Sequence, residues 1–156
     1  MRKLFVDWLF EKMKTDPNVV LVTADLGFGL LDRIRDTYPD RFWNVGAAEQ
    51  LLLGVGVGLS LEGKKPILYS ITPFLLYRPY EWIRNYLGHE RISCMLVGSG
   101  LDKDYSHDGF SHWSFDYKEI CDQVKIDCIL PNEDNMASLM DKAIDSNSPC
   151  FVGLKR

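Results

Sequence analysis

A chain of 156 residues, 46% hydrophobic and 26% charged, is long enough to bury a real core and reads as one soluble domain over residues 1–156. Its net charge of -4 gives no electrostatic case for nucleic acid or a membrane surface, and no apolar run reaches the length of a membrane span. Met1-Arg2-Lys3-Leu4-Phe5 begins as a signal peptide would, but Asp7, Glu11 and Lys12 interrupt any apolar segment, so a cytoplasmic location is expected.

Leu4, Phe5, Trp8, Leu9 and Met13 fall at helical spacing and predict an amphipathic helix over 3–14, ended by Asp16-Pro17-Asn18. Val19-Val20-Leu21-Val22-Thr23 is a continuous β-branched run, the mark of a strand buried on both faces. Asp25 closes it, and Gly27 and Gly29 open a loop. A short helix over 30–38 stops at Pro39, and Arg41-Phe42-Trp43-Asn44 is a short extended piece. Residues 46–61 predict a helix despite Gly54, Gly56 and Gly58. Each glycine costs about 1 kcal/mol against alanine there, so close approach of another backbone or local packing on the chain's own sheet must compensate.

Pro66-Ile67-Leu68-Tyr69-Ser70 reads as the next strand and 74–86 as a helix rich in aromatic residues and arginine. Ile92 to Val97 is another buried strand, and 98–114 a long loop holding His107 and His112. Long loops in compact domains are commonly functional. Helices over 115–123 and 134–145 alternate with strands over 126–130 and 150–154. The alternation predicts an α/β fold, a three-layer sandwich around a mostly parallel sheet. Cys94, Cys121, Cys128 and Cys150 form no Cys-x-x-Cys pair, and the three histidines lack ligand spacing to them. Reduced, structural thiols are expected, with no metal site in this chain.

Asn44-Val45-Gly46-Ala47-Ala48-Glu49-Gln50 places one carboxylate among small and apolar residues. A carboxyl buried in such surroundings is costly to keep charged, and groups so placed are often catalytic. An exposed glutamate in a helix's first turn, favoured by the dipole, is the plain alternative. The heptamer, the glycine-rich helix, and Glu62-Gly63-Lys64-Lys65-Pro66 leading into a strand together resemble the pyrimidine-binding domain of thiamine-diphosphate enzymes of the transketolase and deoxyxylulose-phosphate synthase family. The likeness runs from about Val19 to the C-terminus.

That resemblance implies a set of roles. Glu49 would be the catalytic glutamate that hydrogen-bonds the cofactor's aminopyrimidine and favours the imino tautomer, whose exocyclic nitrogen takes the thiazolium proton. Tyr69-Ser70-Ile71-Thr72-Pro73-Phe74-Leu75-Leu76-Tyr77-Arg78 is similar to the segment whose aromatic rings hold the pyrimidine. Phe74 takes the stacking position, Ile71 stands where the family has phenylalanine, and Tyr77 could equally belong to a core stripe. Arg78 could face an acidic substrate group or a partner subunit, as could Arg84. Asp25 matches a segment near the cofactor and could equally cap its turn. Tyr105-Ser106-His107-Asp108-Gly109-Phe110-Ser111-His112 resembles the family's Glu-Asp-Gly-x-Thr-His turn, which implies that Asp108 and His112 contact substrate hydroxyls and that His112 assists proton transfer. Ser99-Gly100 stands where the family has Thr-His, so a phosphosugar substrate is not implied.

Enzymes of this group bind the diphosphate through magnesium on another domain, with a Gly-Asp-Gly segment followed by Asn, and no such segment occurs here. The resemblance therefore implies half of a site and, if the chain is whole, one subunit of a split enzyme. A second subunit would carry the diphosphate and Mg2+, two copies of each chain would assemble, and a two-carbon ketol unit would pass between small sugars. Decarboxylation of a 2-oxo acid with carboligation, or a non-catalytic regulatory subunit, are the alternative readings.

Overall fold

A computed structural model describes residues 1–156. Six parallel strands form one sheet in the order β2-β1-β3-β4-β6-β5. They are β1 (Val19–Thr23), β2 (Phe42–Asn44), β3 (Lys65–Ile71), β4 (Met95–Ser99), β5 (Asp127–Ile129) and β6 (Cys150–Leu154). The helices are α1 (Arg2–Thr15), α2 (Asp32–Thr37), α3 (Glu49–Leu61), α4 (Thr72–Tyr77), α5 (Tyr80–Trp82), α6 (Tyr117–Val124) and α7 (Met136–Asp145).

The period of two along the strands builds two cores. Leu21, Ile67, Tyr69, Met95, Val97, Cys150 and Val152 meet Phe5 and Leu9 of α1, Ile34 of α2 and Met140 of α7. Their alternates Val22, Leu68, Leu96 and Phe151 meet Leu52, Leu53 and Val57 of α3, Leu75 and Leu76 of α4, and Ile120 and Cys121 of α6. Helices cover both faces, which is the three-layer α/β sandwich expected, and every strand pairing is parallel. Burial drives the thiols of Cys94 and Cys150 up to about 12, so they behave as apolar filler.

Several boundaries differ from the sequence expectation. The helix expected from residue 46 begins at Glu49, because Gly46 takes φ +74° and Ala48, at φ -136° and ψ 71°, is not helical. The helix expected over 74–86 is three pieces: α4, then α5 after Pro79, then a π-helical turn over Ile83–His89. Proline donates no backbone N–H and disrupts a helix behind it. The fourth strand runs Met95–Ser99, not 92–97. The long loop is folded, with short 3-10 turns at Ser106–Asp108 and Phe110–His112 and a bridge between Asp102 and Ser114. Of the α3 glycines, Gly56 packs on the chain's own sheet. A Cβ there would lie 2.6 Å from Leu68 Cδ1.

Strand order reverses between β1 and β3, since β2 lies on one side of β1 and β3 on the other. Open α/β sheets bind ligands beyond the carboxyl ends of the strands at such a point. The loops after β1, β2, β3 and β4 all leave from that edge.

Candidate active site at the carboxyl edge of the sheet

Glu49 is the first residue of α3 and only 3% exposed. Its carboxylate lies in the helix's first turn, where unpaired N–H groups and the dipole favour negative charge. Asn44 sets the approach. The backbone N–H groups of Asp25 and Gly46 each donate to its Oδ1 at 3.0 Å. One side-chain oxygen thereby ties the loop after β1 to the turn that delivers Glu49. Asn44 belongs to the heptamer but its pinning role was missed; an Asx turn before Gly46 was the available signal.

Glu49 is not left among apolar groups, as the sequence suggested. Arg78 Nη1 donates to both carboxylate oxygens, at 2.9 Å to Oε1 and 2.8 Å to Oε2. Ser70 Oγ stands 3.5 Å from Oε1. A charged carboxylate this buried needs such a partner, since an unpaired one costs several kcal/mol. The guanidinium carbon of Arg78 also lies 3.8 Å from the centre of the Phe74 ring. Phe74 sits in α4 directly beyond β3, and the ring of His112 meets it at 4.8 Å and 67°, edge to face. Glu49, Arg78, Phe74 and His112 thus form one chain of contacts between α3, α4 and the loop. An open cleft of about 750 Å³ fronts it, lined by Ala47, Ala48, Glu49, Gln50, Leu51 and Arg78.

The other expected residues lie further out. Ile71 ends β3 and is half-buried. Asp25 is exposed, with φ +48°. Tyr77 turns towards the loop, where its hydroxyl donates to the Asp116 carboxylate. Burial, then that hydrogen bond, hold its phenol well above the usual range. Tyr77 shares a second cavity of about 520 Å³ with Phe110, Ser111, Trp113, Phe115 and Asp116; Asp116 was missed, because nothing in the local pattern marks it. Asp108 pairs with His107 at 3.2 Å, and Ser111 Oγ lies 3.0 Å from His112 Nδ1. At Ser99-Gly100 a side chain on residue 100 would meet Tyr105, whose Cε2 lies 2.3 Å from the Cβ position. Tyr105 is itself fixed by a 2.8 Å hydrogen bond between its hydroxyl and Ser99 Oγ.

The fold thus brings a buried carboxylate and an aromatic ring together at the switch point of a parallel sheet. The chain matches the family model "Transketolase, pyrimidine binding domain" over residues 1–156, and it belongs to that family. It is 31% identical over 133 residues to a Methanocaldococcus jannaschii protein provisionally named a transketolase C-terminal section, covering 85% of this chain and 40% of that one. A 1-deoxy-D-xylulose-5-phosphate synthase of Anaeromyxobacter sp. (strain Fw109-5) is 29% identical over 159 residues, covering 98% of this chain and 24% of that one. Among solved structures, one described as "Split gene transketolase, inactive beta4 tetramer" superposes with TM-score 0.86 at 25% identity, covering 99% of this chain and 50% of that one. The chain spans half or less of the length of each.

Membership of this family implies dependence on thiamine diphosphate. The residues present fit the pyrimidine half of that cofactor: Glu49 and Phe74 already hold one flat cationic N–H donor, the Arg78 guanidinium, and an aminopyrimidine protonated on its ring nitrogen would offer the same flat face and N–H.

Proposed function

We propose that this chain is the pyrimidine-binding subunit of a split, thiamine-diphosphate-dependent transketolase-like enzyme. The observation that carries the reading is Glu49, a carboxylate 3% exposed at the head of α3 and joined through the Arg78 guanidinium to the ring of Phe74, at the sheet's switch point. Support for a split arrangement comes from the split-gene neighbour and from the relative named as a C-terminal section.

In this reading Glu49 shares a proton with the pyrimidine ring nitrogen, in a site whose burial keeps the pair dry. Phe74 fixes the plane of the ring, while Ile71 ends β3 further out and Tyr77 is turned to Asp116. The bound cofactor supplies the carbon nucleophile and electron sink that the side chains lack. Asp108 and His112 face the substrate, and the His112 imidazole, which meets the Phe74 ring at 4.8 Å, is the group assigned to give a proton to or take one from a substrate oxygen. Arg78, paired with Glu49 here, would serve an acidic group of a sugar or 2-oxo acid substrate once it leaves that carboxylate. Asp25 lies at the cofactor's edge of the sheet. A second chain holds Mg2+ and the diphosphate, with two copies of each chain in a cytoplasmic assembly, and a two-carbon ketol unit is transferred.

The test is to purify the tagged chain with its partner in thiamine diphosphate and magnesium, and to compare wild type with Glu49→Gln on a ketose donor and on pyruvate. Glu49→Gln should lose at least about 100-fold in kcat. Unchanged turnover would sink the catalytic role, and product from pyruvate alone would move the reaction to decarboxylation and carboligation.

A further inference from the structure

We propose that the Arg78 side chain is a built-in stand-in for the cofactor's aminopyrimidine, filling the ring site of the lone chain and leaving it when the cofactor enters. The proposal rests on the pyrimidine-site reading and adds a mode of regulation to it.

Three observations carry it. First, the guanidinium makes both contacts that the ring would make. Its Nη1 donates to the two oxygens of Glu49 at 2.9 and 2.8 Å, and its carbon lies 3.8 Å from the centre of Phe74. A guanidinium is flat, delocalised and bears N–H donors in its plane, and it stacks on aromatic faces as a heteroaromatic ring does. Cofactor and arginine therefore compete for the same two surfaces. Second, the pair is lopsided. Glu49 is 3% exposed whereas the Arg78 side chain is 46% exposed, so the carboxylate is fixed and the arginine faces the open cleft. Third, the backbone under Arg78 is pinned. Gln50 Nε2 donates to the Arg78 carbonyl at 3.4 Å, and Pro79 follows, buried. Release thus needs only side-chain rotation into the cleft, with no movement of α3 or α4.

The arrangement also gives the half-site a counter-charge of its own when no cofactor is bound. A buried carboxylate awaiting a cofactor would be costly without a counter-charge, and Arg78 supplies one from within the chain. The consequence is a reduced apparent affinity, because the cofactor binds only the fraction of molecules with Arg78 swung out.

The full chain is titrated with thiamine diphosphate and magnesium, and binding is read by NMR from broadening of the cofactor's pyrimidine methyl signal. Arg78→Ala and Arg78→Met, checked for folding by circular dichroism, are expected to bind at least about 10-fold tighter than wild type, as for a site open in roughly a tenth of molecules. Methylguanidinium should compete with the cofactor in both variants. Arg78→Lys keeps the charge but loses the flat face and should fall between. Equal or weaker binding by both folded variants overturns the stand-in; if Glu49→Gln weakens binding in the same series, the pyrimidine site itself survives. No binding by either folded variant, in the lone chain and again with the partner chain added, overturns both ideas together. Tighter binding that Glu49→Gln and methylguanidinium leave untouched places the cofactor elsewhere and overturns the stand-in as well.

Discussion

The two halves of the candidate site are built differently. Glu49 and Phe74 stand at the starts of helices α3 and α4 at the edge of the sheet, held by the fully buried side chains of Leu52, Leu53, Leu75 and Leu76. Asp108 and His112 lie in a loop of 3-10 turns whose outer side chains, Phe110 and Phe115, are 82% and 54% exposed. A carboxylate that must meet one ring atom needs a rigid base, whereas residues that meet variable substrates are better carried on a loop. Two of the departures from the family pattern, Ser99-Gly100 and His107, fall in or at the start of the loop region, with Tyr105 filling the space beside Gly100; the third, Ile71, ends β3.

This contrast can be broken most sharply at the base. Leu52 is fully buried beneath α3, and Leu52→Ala should cost about 2–5 kcal/mol in stability, measured by denaturant unfolding, with cofactor binding falling alongside. If stability drops while cofactor affinity holds, the base is not what positions Glu49. The loop should behave in the opposite way. His112→Ala in the assembled complex is expected to lower kcat/KM by about 100-fold with little change in Tm and in cofactor affinity. A large fall in Tm would make His112 a structural prop for Phe74.

Tyr77 joins the two halves, and its effect should be smaller. Tyr77→Phe removes the hydrogen bond to Asp116 and should cost about 1 kcal/mol by equilibrium unfolding. The sign of its pH dependence follows from the direction of its shift. The folded phenol's pKa is raised above the unfolded value, so its contribution is complete below about pH 10 and is lost as pH rises through the folded value. Wild type should therefore lose its advantage over Tyr77→Phe in alkali, and a constant difference would show that the hydroxyl does not titrate with Asp116 beside it.

The smallest effect lies far from both halves. Burial opposes ionisation of Asp16, but the Lys65 ammonium at 2.9 Å and the Asn18 N–H outweigh it and hold its carboxyl below the usual range. Its contribution, below about 1 kcal/mol, is present above the unfolded value and lost as pH falls through the depressed folded one. Asp16→Asn should lower Tm slightly near neutral pH, less so in acid, and leave catalysis unchanged.

Much of the architecture was legible in the chain itself. The β-branched run at 19–23 and the run at 150–154 appear as β1 and β6 at the expected bounds, because strands buried on both faces must be apolar throughout. The alternation of strand and helix specified a parallel α/β sheet, and the heptamer around Glu49 pointed to the family. These features are local or periodic, so one dimension records them. Tertiary structure alone decided that Gly56 makes room for Leu68, that Asn44 ties two loops with one oxygen, that Tyr77 turns to Asp116, and that Arg78 closes on Glu49. Each joins segments that local sequence cannot relate, 12 residues apart for Gly56 and Leu68 and 29 for Glu49 and Arg78. Their meeting depends on where α3 and α4 leave the edge of the sheet and on how the Arg78 side chain folds back, and neither propensity nor periodicity records such a distance.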